Sequence, residues 1–329
     1  MSDLPLQTPD ALRPLAQQCE RQRYSPLTEP ALLLDLNASA SSDALFQDWL
    51  RTLPAPVIGV GPTDAVLADA CDAVLATADA AVPLLATIRQ SPLAAMVFVQ
   101  LLRMNEALPL ADALIAESLA YATLQNGPEF SAWRAANRQA SAAPTESGPA
   151  VLIERTRDHL QLTLNRPANR NGMTVEMRDA LCEALQLALV DDAIARIEIR
   201  ARGKCFSTGG DLREFGTAPD PVTAHLVRSL ALPGRLLAIC ASRCEVFVHG
   251  ACVGSGIEFP AFAARITASP AAWFQLPELK YGLIPGAGGC VSIARRIGRQ
   301  RMAWLGLSGQ RIGAAQALAW GLIDAIGTA

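Results

Sequence analysis

The stretch Gly250–Glu258, GACVGSGIE, decides how the second half of this chain is interpreted. It follows an alternating segment, Glu245–His249, that predicts a strand, and it leads into an uncharged run that predicts a helix starting at Glu258. Because an unpaired buried carboxylate is costly, Glu258 should be either paired within the structure or used for chemistry. Arg243 and Arg265 are the structural partners to weigh against a functional role.

Composition limits the class of protein. The chain has 329 residues, of which 51% are hydrophobic and 18% charged, which fits a soluble globular protein with one large or two modest domains. A net charge of -3 gives no sign of a nucleic-acid or anionic-membrane partner. The polar N-terminus lacks the layout of a signal peptide, and apolar runs such as 80–88 are too short to span a bilayer. We therefore expect a cytoplasmic protein without a membrane partner.

The cysteines do not form a recognisable metal site. There are eight of them and three histidines, with no CxxC pair. Cys240 and Cys244 have a spacing that a metal could use, but no second pair accompanies them. Scattered reduced thiols and no metal are expected.

A polar stretch divides the chain in two. Residues 141–150 form the centre of a small, Pro/Gly/Ser-bearing segment that predicts a linker between residues 1–140 and 151–329. After it, Val151–Leu164 predicts two alternating strands joined at Arg157–Asp158. Strand, glycine-rich turn and helix then recur, which predicts an α/β architecture. The other predicted elements are strands at Ala31–Asp35, Pro56–Val60 and Ile197–Ala201, and helices at Ser91–Arg138, Val175–Val190 and Ala224–Cys240.

Two glycine-bearing loops could expose backbone donors. Phe206–Asp211 and Gly254–Gly256 each follow a strand, and two such loops facing each other would form an oxyanion hole for a thioester. Taken singly, each loop is better interpreted as a tight strand-to-helix turn. A third segment, Leu276–Gly289, lacks both the P-loop and the dinucleotide fingerprint. By default its carboxylate, Glu278, would be a solvated surface side chain.

Four ordered motifs together resemble the enoyl-CoA hydratase/isomerase, or crotonase, family. They are Leu164–Asn171, Phe206–Leu212, Gly250–Gly289 and Leu305–Asp324. The resemblance implies a spiral of ββα units, an acyl-CoA thioester substrate, degradation of fatty or aromatic acids, and a homotrimer or homohexamer. It implies no separate cofactor, since coenzyme A is part of the substrate.

The resemblance also implies roles for individual residues. The backbone N–H groups of Thr208 and Ser255 would form the oxyanion hole, and Glu258 and Glu278 match the two glutamates of the family's hydratases. The implied coenzyme A and substrate site comprises Arg170, Phe206, Gly209, Gly210, Asp211 and Gly254.

Two carboxylates favour hydration over other reactions of the family. Adding water to a C2=C3 bond requires one base and one acid, whereas moving a double bond requires a single base. Isomerisation, C–C cleavage and thioester hydrolysis remain alternatives, and so does a catalytically silent assembly subunit. Two departures from the family pattern, Ser255 within the glycine triplet and Ala264 in place of an acidic residue, keep the reaction open. Apolar residues expected near the acyl group are Phe215, Leu230, Trp273 and Phe274.

Family members usually continue beyond the Gly-Leu-Ile-Asp element with helices that cover an active site. Here the segment 91–138 resembles those helices although it precedes the motifs. Residues 1–140 are therefore expected to be a degenerate crotonase-like region whose helices complete the site, in the same chain or in a partner.

Overall fold

The computed structural model describes residues 4–38, 43–137 and 146–327. Its strands are β1 (Leu6–Gln7), β2 (Leu32–Asp35), β3 (Val57–Val60), β4 (Ala73–Leu75), β5 (Val151–Thr156), β6 (His159–Leu164), β7 (Arg196–Ala201), β8 (Cys244–Val248), β9 (Ala251–Val253), β10 (Arg265–Ala268), β11 (Trp273–Gln275), β12 (Ile312–Gly313) and β13 (Ala325–Ile326). Its helices are α1 (Pro9–Gln17), α2 (Ala44–Thr52), α3 (Val82–Gln90), α4 (Pro92–Asn105), α5 (Leu110–Gln125), α6 (Pro128–Ala136), α7 (Val175–Val190), α8 (Pro221–Leu230), α9 (Pro233–Ile239), α10 (Ser255–Glu258), α11 (Gly289–Ile297), α12 (Arg299–Ser308) and α13 (Ala314–Trp320).

Three sheets organise these elements. The first, β1-β2-β3-β4, is parallel throughout and belongs to the first half of the chain. The second, β13-β10-β8-β7-β6-β5, is parallel except for the β5–β6 hairpin. A small third sheet, β12-β11-β9, carries the strand that leads into Gly254. The predicted α/β architecture is confirmed.

Local sequence signals account for the start of the second half. The predicted hairpin over Val151–Leu164 is confirmed, and Arg157 adopts a left-handed φ of 57° at its turn. The predicted helix Val175–Val190 is also confirmed. Its N-cap is Thr174, whose side chain accepts a hydrogen bond from the Met177 N–H and so satisfies one of the helix's free donors.

Proline corrects two predicted helices. The helix expected over Ala224–Cys240 is two helices, because Pro233 cannot donate an N–H and holds Leu232 in an extended conformation. The helix expected to begin at Glu258 in fact ends there. Pro260 starts a separate turn of 3-10 helix because it too lacks the donor that would continue α10.

The helices of the first half pack against the second half within the same chain. Helix α3 contacts α12, α4 contacts α11 and α12, and α5 contacts α8 and α11. Phe98 and Leu102 on α4 belong to the same buried apolar cluster as Ile293 and Met302. The helical prediction for Ser91–Arg138 is confirmed as three helices, with Arg138 outside the described residues. Of the predicted linker, residues 141–145 also lie outside them.

A buried ionic cluster joins the two halves. The Asp72 carboxylate, 1% exposed, forms ion pairs with the Arg103 Nη2 at 2.5 Å and with the Arg299 Nη1 at 3.3 Å. Arg299 also donates to the carbonyl of Cys71 at 2.9 Å. The buried carboxylate is thus paired with cations from both halves, and losing it would leave the buried Arg103 guanidinium without its anion, whereas Arg299 would keep Glu106 at 2.9 Å.

One apolar helical stretch exceeds the length expected from the sequence. Among the described residues, Pro221–Ile239 is long and apolar enough by composition to cross a membrane, and 22% of it is buried. It comprises the separate helices α8 and α9. The bent pair Ala78–Gln90 and Pro92–Asn105, which meet at 112°, is also long and apolar enough when the two are taken together. Core helices of soluble proteins can be equally long and apolar, so length and composition assign no membrane location.

Candidate active site

The Glu258 carboxylate is buried and bound by backbone amides. As the last residue of α10 it is 2% exposed, and its Oε2 accepts the N–H of Ala287 at 2.7 Å and of Gly289 at 3.0 Å. These amides lie at the start of α11, where unpaired donors and the helix dipole favour an anion. The Ser292 hydroxyl anchors the same turn by donating to the Glu258 carbonyl at 2.7 Å.

Neither arginine considered as a structural partner reaches Glu258. Arg243 donates to the carbonyls of Ile194 and Ala188, and Arg265 pairs with Glu245 at 3.2 Å. The structural alternative raised by the sequence is therefore wrong, and among the described residues no cation pairs with the buried Glu258 carboxylate.

Glu278 lies directly beside it. It begins the 3-10 turn Glu278–Tyr281, is 8% exposed, and its Oε2 has no hydrogen-bond partner. The default of a solvated surface side chain is wrong. A Cβ at Gly254 would lie 2.5 Å from the Glu278 Oε1 and 3.7 Å from the Glu258 Oε1, so both carboxylates converge on this glycine. Its φ of 50° also disfavours any larger residue.

A third carboxylate, Glu117 of α5, was not foreseen as part of the site. It is 2% exposed, and it accepts the N–H of Gly288 at 2.6 Å and of Cys290 at 2.8 Å. Since Glu258 binds the amides of residues 287 and 289, the four consecutive amides alternate between the two carboxylates. The first half of the chain therefore helps to hold the loop that positions Glu258.

Burial raises the pKa of all three carboxyl groups. The pKa of Glu258 rises to about 7, although the hydrogen bonds from the two amides lower it in part. Burial raises the pKa of Glu278 well above its usual range, and the neighbouring charge of Glu258 raises it further. The pKa of Glu117 is raised by the same two causes. Because like charges oppose one another here, ionisation of Glu258 raises the pKa of both Glu278 and Glu117.

The two glycine-bearing loops face each other at close range. A Cβ at Gly209 would lie 2.7 Å from the Val253 carbonyl, and one at Gly256 would lie 2.6 Å from that of Ser207. Ser255 is the first residue of α10, so its N–H has no acceptor within the helix.

The other expected oxyanion donor is engaged. The Thr208 N–H donates to the Arg170 carbonyl at 3.2 Å, so a substrate oxygen would reach this amide in place of, or beside, that carbonyl.

A cavity of about 480 Å³ opens over the glutamate pair. Of the residues expected in the site, its lining contains Gly210, Asp211, Ser255, Glu258 and Glu278. It does not contain Arg170, Phe206, Thr208, Gly209 or Gly254. Tyr121 and Gln125 of α5 and Arg228 of α8, none of which the sequence indicated, complete the wall. A concave site of this size with a few convergent polar groups is typical of small-molecule binding.

Several expected binding residues have structural roles. Phe206 is fully buried against Phe259, and the Asp211 carboxylate is held by Arg213 and Asn169. Of the residues expected around the acyl group, Phe215 lines the cavity. The others do not: Leu230 is 71% exposed, Phe274 is buried in the core, and Trp273 lies beneath the Arg311 guanidinium.

The described residues contain no group of three or more His, Cys, Asp and Glu side chains that could hold a metal ion. The Cys240 and Cys244 sulfurs lie 3.5 Å apart as free thiols.

Comparison with known proteins assigns the second half of the chain to a family. The Enoyl-CoA hydratase/isomerase family profile matches residues 155–329. The chain belongs to the enoyl-CoA hydratase/isomerase family. It is 32% identical over 174 residues to 2,3-dehydroadipyl-CoA hydratase of Escherichia coli K12, covering 53% of this chain and 68% of that protein. It is 32% identical over 166 residues to trans-2-decenoyl-[acyl-carrier-protein] isomerase of Streptococcus mutans, covering 49% and 63%.

Solved structures support the fold of this family member. An enoyl-CoA hydratase subunit of Geobacillus kaustophilus is 25% identical with a TM-score of 0.50, covering 54% of this chain and 68% of that one. A second protein, from Mycobacterium abscessus, is 28% identical with a TM-score of 0.51, covering 54% and 70%. The crotonase-like α/β fold thus holds for about half the chain, and residues 1–154 lie outside the family match.

Proposed function

We propose that this chain is an enoyl-CoA hydratase that adds water across the C2=C3 bond of an acyl-CoA thioester. The observation that carries the proposal is that Glu258 and Glu278 are both buried, converge on Gly254 and line the same cavity. The different environments of the two carboxyl groups support one charged and one protonated partner.

The proposed reaction assigns a role to each glutamate. Ionised Glu258 removes a proton from water as the water oxygen bonds to C3. The electron pair of the C2=C3 bond moves towards the thioester carbonyl and gives an enolate. Protonated Glu278 then delivers its proton to C2, so that the net change is the addition of one water. Proton exchange through solvent restores both glutamates.

The enolate oxygen would be held by backbone donors. The Ser255 N–H supports this role because it is free of a helical acceptor and lies at the start of α10. Thr208 would become the second donor when the thioester oxygen displaces or shares its bond from the Arg170 carbonyl. Coenzyme A is proposed to lie along the loop 208–211 and the Arg170 turn, where Arg170 and Asn171 both have left-handed φ values.

Loss of the enone absorbance of crotonyl-CoA, with a mass gain of one water, would test the proposal directly. Glu258→Gln and Glu278→Gln should each lower kcat by about 100- to 10,000-fold. A product of unchanged mass would indicate isomerisation, which the name of the Streptococcus mutans relative makes the second candidate. An isomerase would tolerate loss of one glutamate. A silent assembly subunit would bind no acyl-CoA.

The first half of the chain is proposed to be a shortened, degenerate copy of the catalytic unit. Its strands β2, β3 and β4 lie side by side in parallel and in chain order, as β7, β8 and β10 do in the second half. Its helices complete the site in the same chain through Glu117 and Tyr121. A truncation starting at residue 150 should be insoluble or inactive, and a soluble, fully active product would contradict this role.

Self-association is proposed to use the exposed face of α8. Val222, Leu226 and Leu230 recur every fourth residue and are 77%, 54% and 71% exposed. Apolar side chains in such a stripe favour burial against another surface, and a trimer or hexamer would provide one. Leu226→Glu should reduce the molar mass measured by light scattering, whereas an unchanged mass would place the interface elsewhere.

A further inference from the structure

Arg228 brings a positive charge to the wall of the cavity that holds the glutamate pair. Its guanidinium lies over the Tyr121 ring, 4.5 Å from the centroid, and both side chains line the cavity. The Tyr121 ring in turn packs against Gly286, where an added Cβ would lie 2.2 Å from it. The cation is therefore one aromatic ring away from the loop whose amides bind Glu258.

The hydrogen-bond partners of Arg228 are all neutral. Its Nε donates to the Ser118 Oγ at 3.1 Å, its Nη1 to the Gln125 Oε1 at 3.3 Å, and its Nη2 to the Ser118 carbonyl at 3.3 Å. Within the described ranges of the chain, no carboxylate oxygen comes within salt-bridge distance of this guanidinium. Glu117, a buried carboxyl group that would favour the charged guanidinium only when ionised, is bound to two amides instead.

The other charged side chains of the cavity wall, apart from the glutamate pair, already have hydrogen-bond or ion-pair partners. Arg178 pairs with Asp179, and Asp211 pairs with Arg213. The Glu214 carboxylate accepts the Val175 N–H at 2.7 Å. Arg228 is thus the cavity-lining arginine that has no anion in contact, and some of its five N–H donors remain unused.

A guanidinium in this setting favours an anionic ligand. Removing a cation from water is unfavourable, and neutral acceptors offset this cost less fully than an anion does, since a carboxylate can receive two parallel, charge-assisted N–H donors from arginine. The unused donors border a cavity, so the compensating anion can be part of the bound substrate.

We propose that the acyl group carries a carboxylate at its far end, received by Arg228, so that the substrate is the thioester of a dicarboxylic acid. This rests on the proposed function, which places the thioester carbonyl at Ser255 and the reacting carbons at Glu258 and Glu278. The phosphates of coenzyme A are the other source of anionic charge. They are separated from the thioester by the long pantetheine arm, whereas Arg228 lines the same cavity as the two glutamates.

Binding of saturated thioesters separates the proposal from catalysis. We would measure adipyl-CoA and hexanoyl-CoA, which match in chain length, by calorimetry on the full chain and on Arg228→Met. The wild-type protein should bind adipyl-CoA at least about 10-fold more tightly. Arg228→Met should weaken adipyl-CoA binding by about 10- to 100-fold and leave hexanoyl-CoA nearly unchanged. Arg228→Lys should recover part of the preference because it keeps the charge and loses the bidentate geometry.

Each possible result either supports or overturns the proposed recognition of the carboxylate by Arg228. Equal affinity of the wild-type protein for both thioesters, or preference for hexanoyl-CoA, would overturn the proposal, and this holds even if the variant does not fold. Equal weakening of both ligands in a folded Arg228→Met would assign Arg228 to the coenzyme A phosphates or to packing, and would also overturn it. The wild-type protein could bind adipyl-CoA more tightly and yet add no water to the C2=C3 unsaturated forms of adipyl-CoA and hexanoyl-CoA. That result would support the proposal while the proposed hydratase activity failed.

Discussion

Replacing Glu258 by glutamine removes a charge from the site while conserving its shape. The amide oxygen of glutamine can accept the same two N–H groups, from Ala287 and Gly289, that the carboxylate accepts at 2.7 and 3.0 Å. Close packing leaves little room for another arrangement, since a Cβ at Gly289 would lie 2.6 Å from the Glu258 Cγ. The loop should therefore keep its conformation, and changes in rate or stability report on the lost ionisation.

The substitution should lower activity and raise stability at alkaline pH. Losing a general base costs about 100- to 10,000-fold in kcat. The folded protein keeps the Glu258 proton up to a pKa of about 7, whereas an unfolded chain releases it near 4.5. Wild-type stability should therefore fall as pH rises between these values, by about 3 kcal/mol from this one group. Glutamine has no such loss.

The assay compares urea unfolding of Glu258→Gln and the wild-type protein at about pH 4 and about pH 9, on either side of the pKa interval. From about pH 4 to about pH 9, the free energy of unfolding of the variant should rise by about 3 kcal/mol relative to that of the wild type. Glu183→Gln, on the exposed side of α7, is the matched control and should show no such gain. A pH-independent difference would refute the buried titration, and hydration within a few-fold of wild type would refute the base.

Three further substitutions test the surroundings of the pair. Glu117→Ala leaves two buried amides without acceptors and should lower the free energy of unfolding by about 2 kcal/mol, measured in urea; unchanged stability would contradict the alternating arrangement. Asp72→Ala should cost about 3–5 kcal/mol in the same assay because it leaves the buried Arg103 without its anion and removes one of the two anions of Arg299, and a loss below about 1 kcal/mol would show that the halves are joined otherwise. Gly254→Ala should lower kcat about 100-fold by displacing the Glu278 carboxylate, and wild-type turnover would show that the carboxylate can move freely.

Features that depend on neighbouring residues were predictable from the sequence. The hairpin over Val151–Leu164 and the helix begun by Thr174 follow from alternation and from an N-cap, which are local signals. The glutamate pair was also foreseen, because Glu258 interrupts an apolar segment and Glu278 belongs to a recognisable motif. That the two lie beside one another was an implication of the resemblance, and here it appears as a geometry around Gly254.

Contacts between distant parts of the chain were not predictable in this way. Glu117 lies 171 residues from Gly288, whose amide it binds, and nothing in the local pattern of α5 specifies that partner. A signal was present nonetheless. Glu117 lies among apolar residues in the middle of α5, where Asp112 in the first turn is the other carboxylate, and a carboxylate in an apolar segment is the feature that drew attention to Glu258. The bond from the Thr208 N–H to Arg170 likewise depends on how a turn and a loop meet in three dimensions.

The arrangement of carboxylates explains why both halves of the chain matter to one site. Glu258 and Glu117 approach the start of α11 from opposite halves, and each holds alternate amides of the same four-residue loop. One helix terminus can stabilise only limited negative charge, so the two groups compete for ionisation as well as for donors. Burial and the charge of Glu258 both raise the pKa of Glu117, so ionisation of Glu258 at this end of α11 opposes ionisation of Glu117. On this reasoning the helices of the first half act on the reaction through the charge at the loop, in addition to forming the wall of the cavity.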